Sequence, residues 1–476
     1  MRNTETGQTT ELAPTVITAT GDTGCPVADV SGQNLLFSRD FTAAEFKSRR
    51  AKIAGKIGKE AHLLIAGAPP LPGDTQVQDA LFYYFCGLET CHSYLLMSGK
   101  DAHTTLFLPS RDTMAGEAED RLGFEDAELV RQRLEVEDVK SSEDLTAALA
   151  GVNVLYIPHA EVEGGGITRF GANNCARRRD EEEWDKAEPR HKRLIRLLGE
   201  RFSGLKIEDA SPMISAMRTI KSPAEIDLLR QAGQLSANVM IEAMKATRPG
   251  ILETRLQAIA EFVFRDQGHC GPGYGIIAAS GRNTWDGHYH RNNATLLDGD
   301  IVLMDCGPDL RHYTSDIARI WPVSGTYSTW HRKVYGLIVE YHKTLLNLIR
   351  PGVLAAEIYE EAAKIVARQC KNPLSPYGDM TPLLEQMIAK GVRYLNHGVG
   401  LSVHDAIAPW QDKPLEPGFV CAVDPMVWCE PEHQYIRVED TVVVTSDGCE
   451  RLTGAAPIEI DEIEELMKQP GGLMCR

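Results

Sequence analysis

The sequence predicts a mixed α/β (α+β) protein: a smaller domain with a central sheet, then a larger domain of two pseudo-symmetric halves. Three observations carry this. Short apolar runs alternate with helical, acidic segments over roughly the first 180 residues, as in layered α/β domains. The chain then repeats itself. Arg248-Pro249-Gly250-Ile251-Leu252 recurs as Arg350-Pro351-Gly352-Val353-Leu354, and Leu256, Ala260 and Val263 after the first copy correspond to Ile358, Ala362 and Ile365 after the second. Finally, two apolar runs follow a turn glycine and end in an acid, with the same offset of six positions from Gly299 to Asp305 and from Gly418 to Asp424.

Taken in order, residues 1–38 form a polar leader without the charged and apolar regions of a signal peptide. Residues 42–57 read as a basic amphipathic helix. The runs 62–66, 81–85, 94–97, 104–108 and 152–157 read as strands of a domain spanning 39–180. Residues 181–214 are dense in charge, with Leu194, Ile195, Leu197 and Leu198 as apolar content, and are expected to be a linker helix. The second domain, 215–476, is announced by Ser222-Pro223-Ala224-Glu225. Ser222 caps a helix, Pro223 fits its first turn and Glu225 completes a capping box. Ile226, Leu229 and Gly233 mark its packing face. Each Arg-Pro-Gly copy reads as a turn leading into an amphipathic helix.

The bulk numbers exclude some classes. A chain of 476 residues, 43% hydrophobic and 25% charged, is ordinary globular protein with material for sizeable cores. Its net charge of −17 argues against nucleic acid and anionic membrane as partners. No run is long and apolar enough to span a membrane. Eleven cysteines without a CxxC pair, and no export signal, read as reduced thiols of a cytoplasmic protein.

The chemistry gathers in the last third. Asp305 ends the run Ile301-Val302-Leu303-Met304, and Asp316 opens Ile317-Ala318-Arg319-Ile320-Trp321. Asp424 ends the run 419–423, and Glu439 lies in the β-rich stretch 435–445. Acids closing or entering buried strands are unfavourable unless a positive charge compensates them. A pair of divalent cations would do so, and these four carboxylates with His397 form a hard set suited to Mn²⁺-like ions. Strand alternation puts Arg437, Glu439 and Thr441 on one face and turns Asp440 away, making it the poorer ligand. Blander readings stay open: Asp305 and Asp316 as turn acids beside Arg311 and Arg319, His288 as a surface residue, and His404 as a structural partner of Asp405.

These segments resemble a known family. Lys221-Ser222-Pro223-Ala224-Glu225-Ile226 through Arg248-Pro249-Gly250 is similar to the entry into the pita-bread fold of Xaa-Pro aminopeptidases and prolidases. Met304-Asp305-Cys306-Gly307 and Tyr313-Thr314-Ser315-Asp316-Ile317-Ala318-Arg319 resemble its first metal motif. His397-Gly398-Val399-Gly400-Leu401-Ser402-Val403-His404-Asp405 resembles its histidine motif, and Ile436-Arg437-Val438-Glu439-Asp440 its last. Phe82-Tyr83-Tyr84-Phe85-Cys86-Gly87-Leu88 resembles the amino-terminal domain of aminopeptidase P.

The resemblance implies a hydrolase with two divalent metals, Mn²⁺ first and Co²⁺ or Zn²⁺ as alternatives. Asp316 and Glu439 would bridge both ions, Asp305 would bind one, and His397 and Asp424 the other. His288 and His404 would face substrate, and Arg437 would order the carboxylates. The implied substrates are short peptides with proline second, and the implied assembly is a homodimer or homotetramer. Three positions depart from the pattern. Asp424-Pro425-Met426 stands where the family has Glu-Pro-Gly, Arg393 where it has histidine, and Trp428 where it has tyrosine. The shorter aspartate reaches about 1.5 Å less far. Other readings therefore stand beside the aminopeptidase: an Xaa-Pro dipeptidase, a non-catalytic peptide-binding scaffold, or a metal-free amidinohydrolase resembling creatinase. The full set of five ligand-type side chains disfavours the last two.

Overall fold

A computed structural model describes residues 37–471, apart from 70–77, 114–121, 165, 185, 268–270, 372–378, 390–394 and 406–411. The leader up to residue 36 and Arg393 lie outside the described residues.

The first sheet runs β4-β3-β2-β1-β5-β6, from β1 (Ala61–Ala66), β2 (Tyr94–Ser98), β3 (Thr104–Leu108), β4 (Asp138–Ser141), β5 (Val154–Ile157) and β6 (Lys206–Asp209). Alternation along its strands feeds two cores. Leu63, Ile65, Leu95, Met97, Leu106 and Leu108 join the main core, with α1 (Ala43–Ile57) and α2 (Ala80–Cys86). Leu64, Leu96, Phe107 and Leu155 face the other way, towards Leu198.

Two expectations change here. The run 81–85 is α2, a helix, not a strand. Asp79 Oδ1 accepts from the backbone N–H groups of Leu81 and Phe82, both at 3.0 Å, and Gly87 ends the helix at φ 67°. Every residue of α2 is buried, so no period separates helix from strand. The stretch 181–214 is not one linker helix. After α3 (Ala127–Leu134), α4 (Leu145–Leu149) and α5 (Arg169–Glu181), it holds α6 (Arg190–Arg201), strand β6 and the start of α7 (Ser211–Thr219). β6 pairs in parallel with β5, so the sheet continues past residue 180.

The second domain opens with α8 (Pro223–Ala246). Its capping box forms: Glu225 N donates to Ser222 Oγ at 3.3 Å, and Ser222 N to Glu225 Oε2 at 2.9 Å. Gly233 is required, because a Cβ there would lie 2.4 Å from the Leu452 carbonyl oxygen. Then come α9 (Glu253–Asp266), β7 (Ile277–Ser280), β8 (Ile301–Asp305), β9 (Ile317–Pro322), α10 (Thr329–Leu348), α11 (Ala355–Cys370), α12 (Thr381–Ala389), β10 (Leu395–Gly398) and β11 (Val420–Val423). The hairpin β12 (Met426–Cys429) and β13 (Gln434–Arg437) precedes β14 (Glu439–Val444), β15 (Cys449–Arg451) and α13 (Ile460–Met467).

The main sheet runs β10-β11-β14-β9-β8-β7, with β15 on the other part of β14. The order is symmetric about the β14–β9 seam: β9 matches β14, β8 matches β11 and β7 matches β10. The repeated turns match too. Gly250 and Gly352 lie at φ 87° and 83°, where glycine is favoured. Gly250 N donates to Leu296 O and Gly352 N to Leu415 O, each at 2.9 Å. One pairing slips: Val263 is buried, while Val366, not Ile365, takes the core position on α11. The two domains share one core, in which Phe41 packs on Tyr313. Among the described residues no helix is long and apolar enough to cross a membrane.

Candidate metal centre

The symmetric seam brings the expected acids together. Asp316 immediately precedes β9, Glu439 opens β14, and these strands pair as Glu439↔Ala318 and Asp440↔Ile317. Thr441 clamps them. Its hydroxyl accepts from Asp316 N at 2.7 Å and donates to Asp316 O at 2.8 Å. Asp305 ends β8 on one side of the seam, and Asp424 follows β11 on the other. All four carboxylates are buried.

Arg437 ends β13 among them. Its Nε donates to Asp424 Oδ1 at 3.0 Å and its Nη1 to Asp305 Oδ2 at 3.2 Å, while Nη2 abuts Glu439. Asp440 points away, as alternation predicts, and pairs with Arg319 at 2.7 Å. Arg311 pairs with Asp40. Asp305 and Asp316 are therefore not turn acids held by those arginines.

His397 sits on β10 with Nε2 3.4 Å from Asp316 Oδ2 and 3.9 Å from Glu439 Oε1. Its Nδ1 lies 3.2 Å from the Gly398 carbonyl oxygen. That contact calls for the proton on Nδ1, which leaves a lone pair on Nε2 facing the acids. Asp316, His397 and Glu439 can each bring one ligand atom within 4.8 Å of the others. Asp305 and Asp424 stand outside this triad, each engaged by Arg437.

This arrangement fits metal ions. Three acceptors converge without a donor between them, and the buried Glu439 Oε1 accepts no hydrogen bond from any described residue. Four carboxylates against one guanidinium leave three negative charges without a cation. Burial pushes the carboxyl of Asp305 up to about 7, with the Asp316 charge adding to it. Burial also pushes Asp316 and Asp424 up to about 6. The same burial holds His397 down to about 4 and His404 down to about 3. His397 is thereby neutral and free to coordinate, and a divalent cation would displace the protons that burial favours on the carboxylates.

Sequence reasoning missed Tyr274. Its buried hydroxyl lies 2.8 Å from both Asp305 Oδ1 and Asp316 Oδ1, so one proton serves two acceptors. The available signal is its setting, Gly273-Tyr274-Gly275. A Cβ at Gly273 would meet Pro308 O and Thr314 Oγ1 at 2.6 Å, so glycine is what lets this segment approach.

A cavity of about 900 Å³ opens over the acids. His288 and His404 both line it. His288 is exposed on the cavity wall, so it is a surface residue and a cavity residue at once. The His404 ring meets His397 edge-on at 4.3 Å, and Asp405 is held by Lys221 and Arg218. Trp428 stacks on Tyr435 at 4.5 Å to form another part of the wall. The loop and helix around Ile167 and Ala172 close the wall from the first domain.

Comparison with known proteins matches this geometry. Residues 227–446 match metallopeptidase family M24. The Xaa-Pro aminopeptidase of Haemophilus influenzae is 30% identical over 450 residues, covering 89% of this chain and 97% of its own. That of Escherichia coli is 29% identical over 452 residues, covering 90% and 98%. The solved structure of Escherichia coli aminopeptidase P with the inhibitor Pro-Leu superposes with a TM-score of 0.72 at 27% identity, again covering 90% and 98%. With the fold, the seam of acids and these relatives in agreement, the chain belongs to metallopeptidase family M24 and carries the pita-bread fold of aminopeptidase P.

Proposed function

We propose that this chain is a metal-dependent aminopeptidase that hydrolyses the bond between an N-terminal residue and a following proline. The convergence of Asp316, His397 and Glu439 on one point carries the reading, because each can offer a ligand atom there and the buried Glu439 Oε1 has no hydrogen-bond donor among the described residues. Asp316 and Glu439, side by side across the seam, would hold both ions. Asp305 would complete one site, and His397 with Asp424 the other. Four carboxylates to one imidazole favour Mn²⁺ over softer ions. When bound, the ions activate the attacking water and polarise the scissile carbonyl.

The remaining roles fall to the chain itself. Arg437 and Tyr274 hold the carboxylates apart and in line, by the contacts described above. His288 and His404 flank the cavity where they can hydrogen-bond the substrate at the scissile bond. The Trp428–Tyr435 stack offers a flat apolar wall to a proline ring. A cavity of about 900 Å³ is at the upper end for small-ligand sites. It leaves room beyond a dipeptide, which favours the aminopeptidase over the dipeptidase.

Protein purified with Mn²⁺ is expected to hold two ions per chain by elemental analysis and to release the first residue from a short Xaa-Pro peptide. A fully loaded protein that cleaves no such peptide would overturn the reading. Metal content should fall between pH 7.5 and 5.5. Protons compete for Asp305, Asp316 and Asp424 in that window, because burial has raised all three to about 6 or 7.

His288→Ala is expected to lower kcat about 10²-fold, the low end for a positioned proton-transfer group, with both ions retained. Loss of metal at normal activity per ion would show that His288 serves the ions and not the substrate.

A further inference from the structure

One residue beyond His404 begins a buried cluster of charges that the proposed chemistry leaves unused. The side chains of Glu163, Arg218, Lys221 and Asp405 are each only 1% exposed. Arg218 lies between two carboxylates, with Nη1 on Glu163 and Nη2 on Asp405. Lys221 Nζ donates to Asp405 Oδ2 at 3.0 Å. Two anions balance two cations. Apolar side chains of similar volume often stabilise a core as well as such a cluster does, so stability alone does not account for it.

Three of its members are tied to different segments around the cavity. Glu163 begins the small hairpin in which Gly164 pairs with Ile167, and Gly166 and Ile167 line the cavity. The Glu163 carbonyl also accepts from Ala80 N at 2.9 Å, at the start of α2. Lys221 N donates to Gly418 O at 2.9 Å, at the turn into β11, the strand that leads to Asp424. Asp405 N donates to Gly398 O at 2.8 Å and so closes the loop between His397 and His404. The loop is drawn tight against the cluster. A Cβ on Gly400 would lie 2.3 Å from Asp405 Oδ2 and 3.0 Å from Lys221 Cε.

We infer that Glu163, Arg218, Lys221 and Asp405 are positioning residues: through them the first domain fixes the loop from His397 to His404, and with it the His404 imidazole against the substrate. This rests on the proposed substrate-side role of His404.

Non-additivity tests it. Glu163→Gln keeps the side-chain shape, removes one charge, and touches neither metal nor substrate. It is expected to retain two Mn²⁺ ions, to lower kcat about tenfold with KM little changed, and to lose that effect in the His404→Ala background, because residues acting through one group couple. Asp405→Asn should behave the same way. A Glu163→Gln loss that multiplies with that of His404→Ala overturns the inference, as does a Glu163→Gln enzyme with wild-type kcat. If Glu163→Gln does not fold, the charge-balanced pair Glu163→Gln/Arg218→Met, which leaves Lys221 on Asp405, takes its place with the same two outcomes. A metal-loaded wild type without turnover overturns the peptidase reading and this inference together. An active wild type with additive losses overturns the inference alone.

Discussion

Glu439→Gln is expected to remove both metals and to reduce turnover of an Xaa-Pro peptide by at least about 10⁴-fold. Glu439 stands at the seam between the two halves, fully buried, with Oε2 against Arg437 and with Oε1 facing His397 and taking no hydrogen bond among the described residues. As a ligand shared by both ions, its loss weakens both sites at once. Glutamine keeps the length and one acceptor oxygen but loses the charge and brings an N–H group to a carboxylate position beside Arg437, His397 and Asp316. Lewis-acid catalysis supplies several kcal/mol, and each 1.36 kcal/mol is a tenfold change in rate, so loss of both ions leaves little activity. Elemental analysis and turnover on the same sample decide the matter. A Glu439→Gln protein that still holds two ions would show that Glu439 is a buried partner of Arg437 and not a shared ligand.

Much of this site was legible because the chain writes its symmetry in local signals. Gly250 and Gly352 must adopt positive φ, so the repeated turns survive as identical Arg-Pro-Gly triplets. Asp305 and Asp424 close strands at matching offsets, and the period of two separated Glu439 from Asp440. What escaped has physical causes. Tyr274 joins Asp305 and Asp316 only after β7 is laid against β8, and no local period announces such a contact. Residues 81–85, a leucine followed by four aromatics, are buried all round, so their composition suggested a strand. The helix signals were Asp79 before them and Gly87 after them. β4 and β6 are short edge strands of the first sheet, Asp-Val-Lys-Ser and Lys-Ile-Glu-Asp. Partly exposed and highly charged, they lack the apolar alternation of central strands.

Asp424 is one of three positions that depart from the motif this chain resembles, and its variants should separate a short-armed ligand from a lost one. In the structure the Asp424 carboxylate is buried and held by Arg437 Nε at 3.0 Å, outside the triad of Asp316, His397 and Glu439. A glutamate would extend it by about 1.5 Å, one carbon–carbon bond. Asp424→Glu should therefore be tolerated and should bind the second ion at least as tightly. Asp424→Ala should lose one ion selectively. The site it shares with His397 has only these two ligands of its own, whereas Asp305, Asp316 and Glu439 still serve the other. Removing the charge leaves Arg437 with two of its three acidic partners, Asp305 and Glu439, so the fold should survive the change. Turnover should drop about 10³-fold, on the same several kcal/mol of Lewis-acid stabilisation. The scaffold reading expects something different: wild type would bind the peptide without cleaving it, and Asp424→Ala would leave both metal content and peptide affinity unchanged. Metal stoichiometry, peptide affinity and turnover for wild type, Asp424→Glu and Asp424→Ala, measured side by side, distinguish the two. One ion lost with Asp424→Ala and two kept with Asp424→Glu would establish that the shorter acid still works as a ligand.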